Sequence, residues 1–407
     1  MASYLTTKDP KDCTGCGACS YICPVGAIIM QEDDCGFVYP RIDENECIHC
    51  DKCLRSCHMN SSAILRHEES RECYGAVDGD ATSLRSSASG GVAMALSRSI
   101  VESGGVVYGC VADREDVHHE RLADIEGLRR AQGSKYVQSD LSRTFASIKA
   151  DLKAGRSVLF VGTPCQCAAV RTLFGQYDEL MTVDLVCEGT PNRQMYADFL
   201  NDLEVERGAR VTDFRFRDKR GGWSTKNAVV LGEGGEPLDR QPHSYYYYYY
   251  YLFSKALTLR ESCYECPYAC AERVGDVTVG DFWGAETAGL GYGFKDLKDG
   301  ISCALVNTLY GREALDGAGL VLKKCELDTI ARSNSCLTRP SICNQADRAN
   351  VLAAYSAYGA PGMRREYEKI FTKRARFKAD IAANMPLWLR VLLKRTKTLV
   401  IRGGRMA

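Results

Sequence analysis

An α+β domain, an α/β body and a helical end are the three parts that the sequence predicts. Three observations predict them: two tight runs of cysteine within the first sixty residues, an alternation of apolar β-branched runs with helical spacing from residue 83, and basic, helix-spaced sequence from residue 344. The chain has 407 residues, which suits two or three domains. Apolar residues make up 45% and charged residues 26%, so the composition excludes a disordered chain. Lys+Arg and Asp+Glu both number 52, so overall charge offers no case for nucleic acid as a partner. The N-terminal ten residues carry no apolar stretch of the signal-peptide kind, and no apolar run is long enough to cross a membrane, so the expectation is a cytoplasmic protein.

Cysteine is the unusual residue, with 21 copies. In a reducing compartment such a count points to metal or redox chemistry, and an odd number cannot pair fully within one chain. Cys13, Cys16, Cys19 and Cys23 are followed by Pro24, and Cys47, Cys50, Cys53 and Cys57 by His58. Each run is C-x2-C-x2-C-x3-C. This is the spacing of two-cluster ferredoxins, in which the fourth cysteine of each run ligates the other 4Fe-4S cluster. One cluster is therefore assigned to Cys13, Cys16, Cys19 and Cys57, and the other to Cys47, Cys50, Cys53 and Cys23. Gly15, Gly17 and Ala18 keep the first loop small enough for backbone N–H groups to face sulfur. A pair of zinc sites is the alternative, although zinc modules usually pair two C-x2-C knuckles across a longer gap. His58 and His49 read as turn and surface residues, and Cys35 as part of a hairpin.

A third group, Cys263, Cys266 and Cys270, supplies only three thiols. A closed 4Fe-4S site needs a fourth from elsewhere. Cys165 and Cys187 each follow an apolar run, 158–161 and 181–186, and so belong at the C-terminal ends of strands, where open α/β sheets gather ligands. Cys165 is preferred, Cys187 comes second and Cys167 third; a structural zinc knuckle or reduced thiols remain the alternative.

Residues 1–70 form the dicluster domain. Residues 71–82, with Gly75, Asp78, Gly79 and Asp80, read as a linker or entry loop. A helix is expected near 89–102, then strands at 106–111 and 158–161 around a helix over 140–154. Beyond these come a helix at 164–174, a strand at 183–186, a helix at 193–203, and strands near 214–216, 228–231, 276–279 and 303–307. Tyr245 to Tyr251 form an unbroken run of seven tyrosines, some of which should be exposed on any regular element. From residue 361 onward there are 13 basic and 3 acidic residues, a net of +10. The 385–402 stretch mixes Trp388 and leucines with basic residues, which permits peripheral contact with an anionic membrane face.

Six local sequences occur in order: Ser-Ala-Ser-Gly-Gly-Val-Ala (87–93), Gln-Gly-Ser-Lys-Tyr-Val-Gln-Ser (132–139), Val-Leu-Phe-Val-Gly-Thr-Pro-Cys-Gln (158–166), Cys-Glu-Gly-Thr-Pro (187–191), Phe-Arg-Asp-Lys-Arg-Gly-Gly-Trp (216–223) and Gly-Asp-Val-Thr-Val-Gly-Asp-Phe-Trp-Gly (275–284). With the cysteine groups they make residues 8–320 resemble the family of coenzyme F-420 (deazaflavin) hydrogenase/dehydrogenase beta subunits, in its bacterial branch with an N-terminal 2x(4Fe-4S) ferredoxin domain. The resemblance implies that residues 83–160 and 161–343 are its N-terminal-type and C-terminal-type domains, an α/β flavin/iron–sulfur unit, with 344–407 a basic helical tail outside it. It implies a flavin, FAD in most relatives, beside a third 4Fe-4S cluster. Ser89, Gly90 and Gly91 at a helix start then suit a phosphate or flavin edge, as do Ser134, Lys135 and Tyr136, and Gly162, Thr163, Pro164 and Gln166 at a strand-to-helix turn. Asp276 and Asp281 read as loop-orienting groups.

The function expected is an iron–sulfur flavoprotein oxidoreductase. It would pass electrons from ferredoxin or another low-potential carrier through 4Fe-4S clusters to a flavin and a substrate. The bacterial branch is associated with cell-surface polysaccharide synthesis. The alternative is an electron-relay protein that serves a catalytic partner in a larger hydrogenase/dehydrogenase complex. No G-x-G-x-x-G follows a strand, which disfavours nicotinamide.

Overall fold

The computed structural model describes residues 3–60, 66–67, 72–220, 222–225, 227–241 and 243–403, with side chains described as far as residue 396. The close of the predicted dicluster domain (61–65 and 68–71) and residues 404–407 lie outside the described residues.

The N-terminal module is built on one hairpin. Strand β1 (Ile28–Glu32) pairs antiparallel with β2 (Val38–Ile42), and the short helices Ala18–Ile22 and Lys52–Arg55 lie within the two cysteine runs and carry Cys19 and Cys53. The body contains β3 (Glu72–Asp78), β4 (Val106–Asp113), β5 (Asp116–Leu122), β6 (Val158–Gly162) and β7 (Leu180–Leu185). It continues through β8 (Asp213–Asp218), β9 (Asn227–Leu231), β10 (Pro237–Asp239), β11 (Val277–Asp281), β12 (Ser302–Val306) and β13 (Leu320–Cys325). Eight of these form one mixed sheet in the order β13-β3-β12-β11-β7-β6-β4-β5, and β10-β9-β8 form a small antiparallel sheet. β4, β6, β7 and β11 run parallel at the centre of the large sheet, while β5, β12, β3 and β13 join antiparallel.

Burial on both faces explains the apolar central strands. In β6, Val158 and Phe160 pack into one core with Phe145 and Val170, while Leu159 packs into the opposite core with Val92 and Leu96. The parallel strands end together, and their C-terminal ends open on one side of the sheet. Gly162, Cys187 and Asp281 stand at or just past three of those ends.

Three expectations are corrected. The segment read as a linker is strand β3, held between β12 and β13. Gly75 marks close packing there, because a Cβ would lie 2.1 Å from the Tyr292 hydroxyl and 3.0 Å from the Phe282 ring. The seven tyrosines are all buried or half-buried. Most fall in or beside the helix Tyr248–Ser254, which is packed on every side: Tyr249 stacks on Phe199, Tyr251 meets Tyr367 and Phe371, and the Tyr249 hydroxyl donates to the Tyr136 carbonyl at 2.9 Å. The C-terminal region is no simple tail. Helices Gln345–Tyr358 and Ala360–Ile370 bury Val351, Tyr355 and Met363 in the same core, and the Arg348 guanidinium reaches the Leu259 carbonyl at 3.2 Å. Only the helices Lys373–Asn384 and Leu387–Gly403 leave much apolar surface outside: Phe377, Ile381, Trp388, Leu392 and Leu393 are exposed. Among the described residues no helix is long and apolar enough to cross a membrane.

Candidate metal centres and the cavity at the sheet edge

The two N-terminal runs adopt one backbone twice. Gly15 and Gly17 have φ of 66° and 77°, and the equivalent His49 and Asp51 have 50° and 55°. The left-handed turns aim amides at sulfur: the Gly15 N–H donates to Cys13 Sγ at 3.3 Å. Glycine is required at Gly15 for a second reason, since a Cβ there would lie 2.5 Å from Arg260 Nη2.

Cys13, Cys16, Cys19 and Cys57 come together as the spacing predicts. Burial pushes the Cys16 thiol up to about 12, and the neighbouring Cys57 and Cys13 push it the same way. Cys19 is raised by burial and then by Cys16, Cys13 and Cys57. Cys23, Cys47, Cys50 and Cys53 line one small cavity of about 120 Å³, with Leu5 and Ile28 as apolar floor. Thiols forced upward by burial and by one another favour a cation among them, and four sulfurs around one void fit a cluster. The first set faces the body: Cys16 and Cys57 pack against the core that also contacts Cys165 and Cys266. The second set lies on the far side of the module, beside the exposed Val25 and Ile48.

The third group differs from its expectation. The Cys187 thiol is raised well above its ordinary value by burial first, then by Cys263, Cys165 and Cys266. Cys266 is pushed up to about 12 by burial and then by Cys165 and Cys263. The Gly189 N–H donates to Cys187 Sγ at 3.3 Å, and a Cβ on that same glycine would lie 3.3 Å from Cys263 Sγ, so these two sulfurs flank one turn. The structure thus gathers Cys165, Cys187, Cys263 and Cys266. Cys270 turns outward instead. Its sulfur is bonded to the Glu272 carbonyl at 3.1 Å and receives the Arg66 guanidinium at 3.3 Å. In the same loop the buried Arg273 guanidinium donates to the carbonyls of Tyr268 and Cys270 at 2.7 and 3.2 Å. Cys167 is buried within its helix and bonded to the Gly162 and Val183 carbonyls.

His58 does more than turn the chain. Its Nδ1 lies 2.6 Å from the Tyr268 hydroxyl and its Nε2 lies 3.1 Å from Thr14 Oγ1, so it ties both cysteine loops to the third group. Burial pushes this imidazole down to about 4, so it is neutral. His49 stays beside Cys47, 3.9 Å from its sulfur.

A cavity of about 360 Å³ lies at the C-terminal ends of β6, β7 and β11 and beside Gly109 and Cys110 of β4. Ser89, Gly91, Ser134, Lys135, Tyr136, Gly162, Thr163 and Gln166 all line it, and so do Cys165 and Cys187. Gly90 and Pro164 do not. Gly90 is packed against β3 and β12, where a Cβ would lie 2.3 Å from the Ala76 carbonyl oxygen, and Pro164 begins the helix Pro164–Phe174. The helix Val92–Glu102 opens on the cavity with Gly91 as an N-cap that supplies no side-chain hydrogen bond, leaving its first N–H groups for an anion. Lys135 differs from expectation. Its ammonium donates to the carbonyls of Arg130, Ala131 and Gln132 at 3.1, 2.9 and 3.1 Å, which caps the helix Ile125–Ala131 and uses all three donors.

His119, Ser139, Arg217 and Trp283, which the sequence reading did not single out, line the cavity too. The His119 Nδ1 lies 2.9 Å from Ser139 Oγ and its Nε2 lies 2.9 Å from the Val161 carbonyl, while Gln166 Nε2 donates to Ser139 Oγ at 2.8 Å. On the opposite wall Asp281 accepts from Arg217 and from the Trp223 indole, each at 2.7 Å, and the Trp223 and Trp283 rings stack 4.9 Å apart. Asp281 thus ties β11 to the segment around Trp223, while Asp276 accepts from the N–H of Thr182 in β7 at 2.8 Å and so ties strand to strand.

Residues 155–331 match the C-terminal region of the coenzyme F420 hydrogenase/dehydrogenase beta subunit, and residues 12–61 match a 4Fe-4S dicluster domain. One component of the F(420)H(2) dehydrogenase of Methanosarcina mazei is 23% identical over 188 residues, which are 43% of this chain and 53% of that protein. The chain therefore spans about half the length of this curated relative. A chain of the F420-reducing NiFe hydrogenase complex of Methanosarcina barkeri aligns with 75% of this chain and 94% of its own length, at 17% identity and a TM-score of 0.42. The region around the third thiol group thus matches the C-terminal model of the coenzyme F420 hydrogenase/dehydrogenase beta subunit, and it follows a match to a 4Fe-4S dicluster domain in the same chain.

Proposed function

We propose that the chain is an iron–sulfur flavoprotein oxidoreductase. It takes electrons from ferredoxin or another low-potential carrier and delivers them to a substrate in the sheet-edge cavity. One observation carries this reading: thiols of the third set, Cys165 and Cys187, line the same cavity as the uncapped helix N-terminus at Gly91.

In this reading Cys13, Cys16, Cys19 and Cys57 hold one 4Fe-4S cluster, and Cys23, Cys47, Cys50 and Cys53 hold the second. Cys165, Cys187, Cys263 and Cys266 hold a third. The sets run from the module's outer side to its docked side and on to the cavity, an order that suits entry of single electrons from outside. The amides of Val92 and Ala93 would bind a flavin pyrophosphate, taking the place proposed for Lys135. A bound FAD would supply the conversion between single electrons and hydride chemistry. Tyr136, stacked on Phe253 at 4.7 Å, is an aromatic wall for a flat ring. His119 is held neutral, with burial pushing it down to about 4, so it orients Ser139 and Gln166 without adding charge.

The relay alternative draws support from the curated relative, which is named as one component of a dehydrogenase. A catalytic partner protein would then receive the electrons. The cavity favours the first reading. The cell-surface polysaccharide connection rests on the branch resemblance alone. Peripheral contact with an anionic inner membrane face fits the exposed Phe377, Ile381, Trp388, Leu392 and Leu393 among the basic residues of the last two helices.

Three outcomes are expected. Cys187→Ser lowers iron by about four per chain, the content of one cluster, and Cys270→Ser leaves it unchanged. Iron analysis of both variants decides this, and the reverse pattern would restore Cys270 as a ligand. Cys50→Ser slows reduction by reduced ferredoxin at least tenfold, while a strong chemical reductant still reduces the body; an unchanged ferredoxin rate would remove the N-terminal module as the entry route. Full-length protein sediments with anionic vesicles and much less with neutral ones, and Trp388→Ser weakens the effect. Equal sedimentation with both would end the membrane reading.

A further inference from the structure

Arg260 stands three residues before Cys263 and is 1% exposed, one of the most deeply buried charged side chains described. Its guanidinium finds neutral acceptors only. Nε donates to Gln138 Oε1 at 3.1 Å, Nη1 to the Cys13 carbonyl at 3.3 Å and Nη2 to the Val38 carbonyl at 2.8 Å. The ring of Tyr39 lies 4.8 Å from the guanidinium carbon and that of Phe37 lies 5.6 Å away. Among the described residues no carboxylate comes within ion-pair distance of it. Its neighbour Glu261 pairs with Arg348 instead, at 2.8 Å.

A buried cation without a counter-ion is strongly disfavoured, so the site implies negative charge that the side chains alone do not supply. The surroundings say where that charge would be. Arg260 crosses from the third-group loop, where its carbonyl accepts from the Cys263 N–H at 3.0 Å, into the N-terminal module, where its guanidinium holds the Cys13 carbonyl. Two cysteine sets are thus joined by one residue. The packing keeps it there: Gly15 lacks the Cβ that would collide with it, and Gln138 holds it while donating to the Thr14 and Gly15 carbonyls at 2.9 and 3.2 Å.

We propose that Arg260 is the shared counter-ion of the two inner cysteine sets, and that it favours the reduced state of the clusters they hold over the outer one. Four thiolates leave a cluster site anionic, and reduction adds one further negative charge, so a fixed cation in low dielectric stabilises the reduced form. None of the Arg260 hydrogen bonds described above reaches the loops of the outer set, Cys23, Cys47, Cys50 and Cys53. Electrons arriving there would be drawn inward.

This inference rests on the three-cluster reading, and the experiment separates the two. Full-length wild type, Arg260→Gln and Arg260→Lys are titrated anaerobically with EPR detection, with iron measured in each sample and signals assigned by comparison with Cys50→Ser. The expected result for Arg260→Gln is a fall in the inner potentials that shifts their one-electron equilibrium at least tenfold, about 59 mV, with the outer signal unmoved. Lysine restores most of the shift. Loss of inner-cluster iron in the glutamine variant but not in the lysine variant would support the same charge requirement. Unmoved inner potentials at full iron content, equal shifts in all three signals, or iron loss in both variants would overturn it. A wild type short of iron for three clusters would fail the cluster reading itself.

Discussion

A buried thiol resists ionisation, and this protein buries several thiols where its two modules meet. Burial pushes Cys16 and Cys266 to about 12 and Cys263 to about 11, so without metal these positions would be neutral, poorly satisfied polar groups. A cationic core repays that cost by ionising and bridging the sulfurs at once. Much of the architecture follows from bringing the sulfurs to one place. The N-terminal module docks with its Cys13 side inward, the parallel strands end at Cys165 and Cys187, and the 260–270 loop is drawn across the join by Arg260, His58 and Arg273.

The same join explains why the body is one unit despite its long sequence separations. β3 follows the module directly and enters the eight-stranded sheet between β12 and β13, so module and body share a strand connection as well as a packed face. Tyr21 of the module packs against Phe145 of the body at 5.2 Å, and Asn192 Nδ2 donates to the Cys35 carbonyl at 2.6 Å. The cavity lies beside this join and not at a remote pocket.

The eight N-terminal cysteines were legible because ligand spacing within a short loop is a local property. The central strands were legible because burial on both faces leaves an apolar run. The third set was only half legible. C-x2-C-x3-C suggests three ligands from one loop, but the Cys270 sulfur bonds to the Glu272 carbonyl and to Arg66, and no local pattern announces those contacts. A signal did exist: Cys187-Glu-Gly189 repeats Cys13-Thr-Gly15, and in both the glycine amide donates to sulfur at 3.3 Å. β3 was hidden by Gly75, whose role is to admit Tyr292 and Phe282, and β5 by an edge strand with two histidines. Lys135 looked like a phosphate partner because nothing in its sequence says that the preceding helix ends beneath it.

In the proposed function this join holds three iron–sulfur clusters beside a flavin. Anaerobic purification of the full chain, with iron, acid-labile sulfide, zinc and flavin measured on the same sample, tests it most directly. The account predicts about twelve irons and as many sulfides per chain, one flavin, and zinc well below one equivalent. Zinc in place of iron, iron that stops near eight after reconstitution, or absence of flavin at full iron content would contradict it.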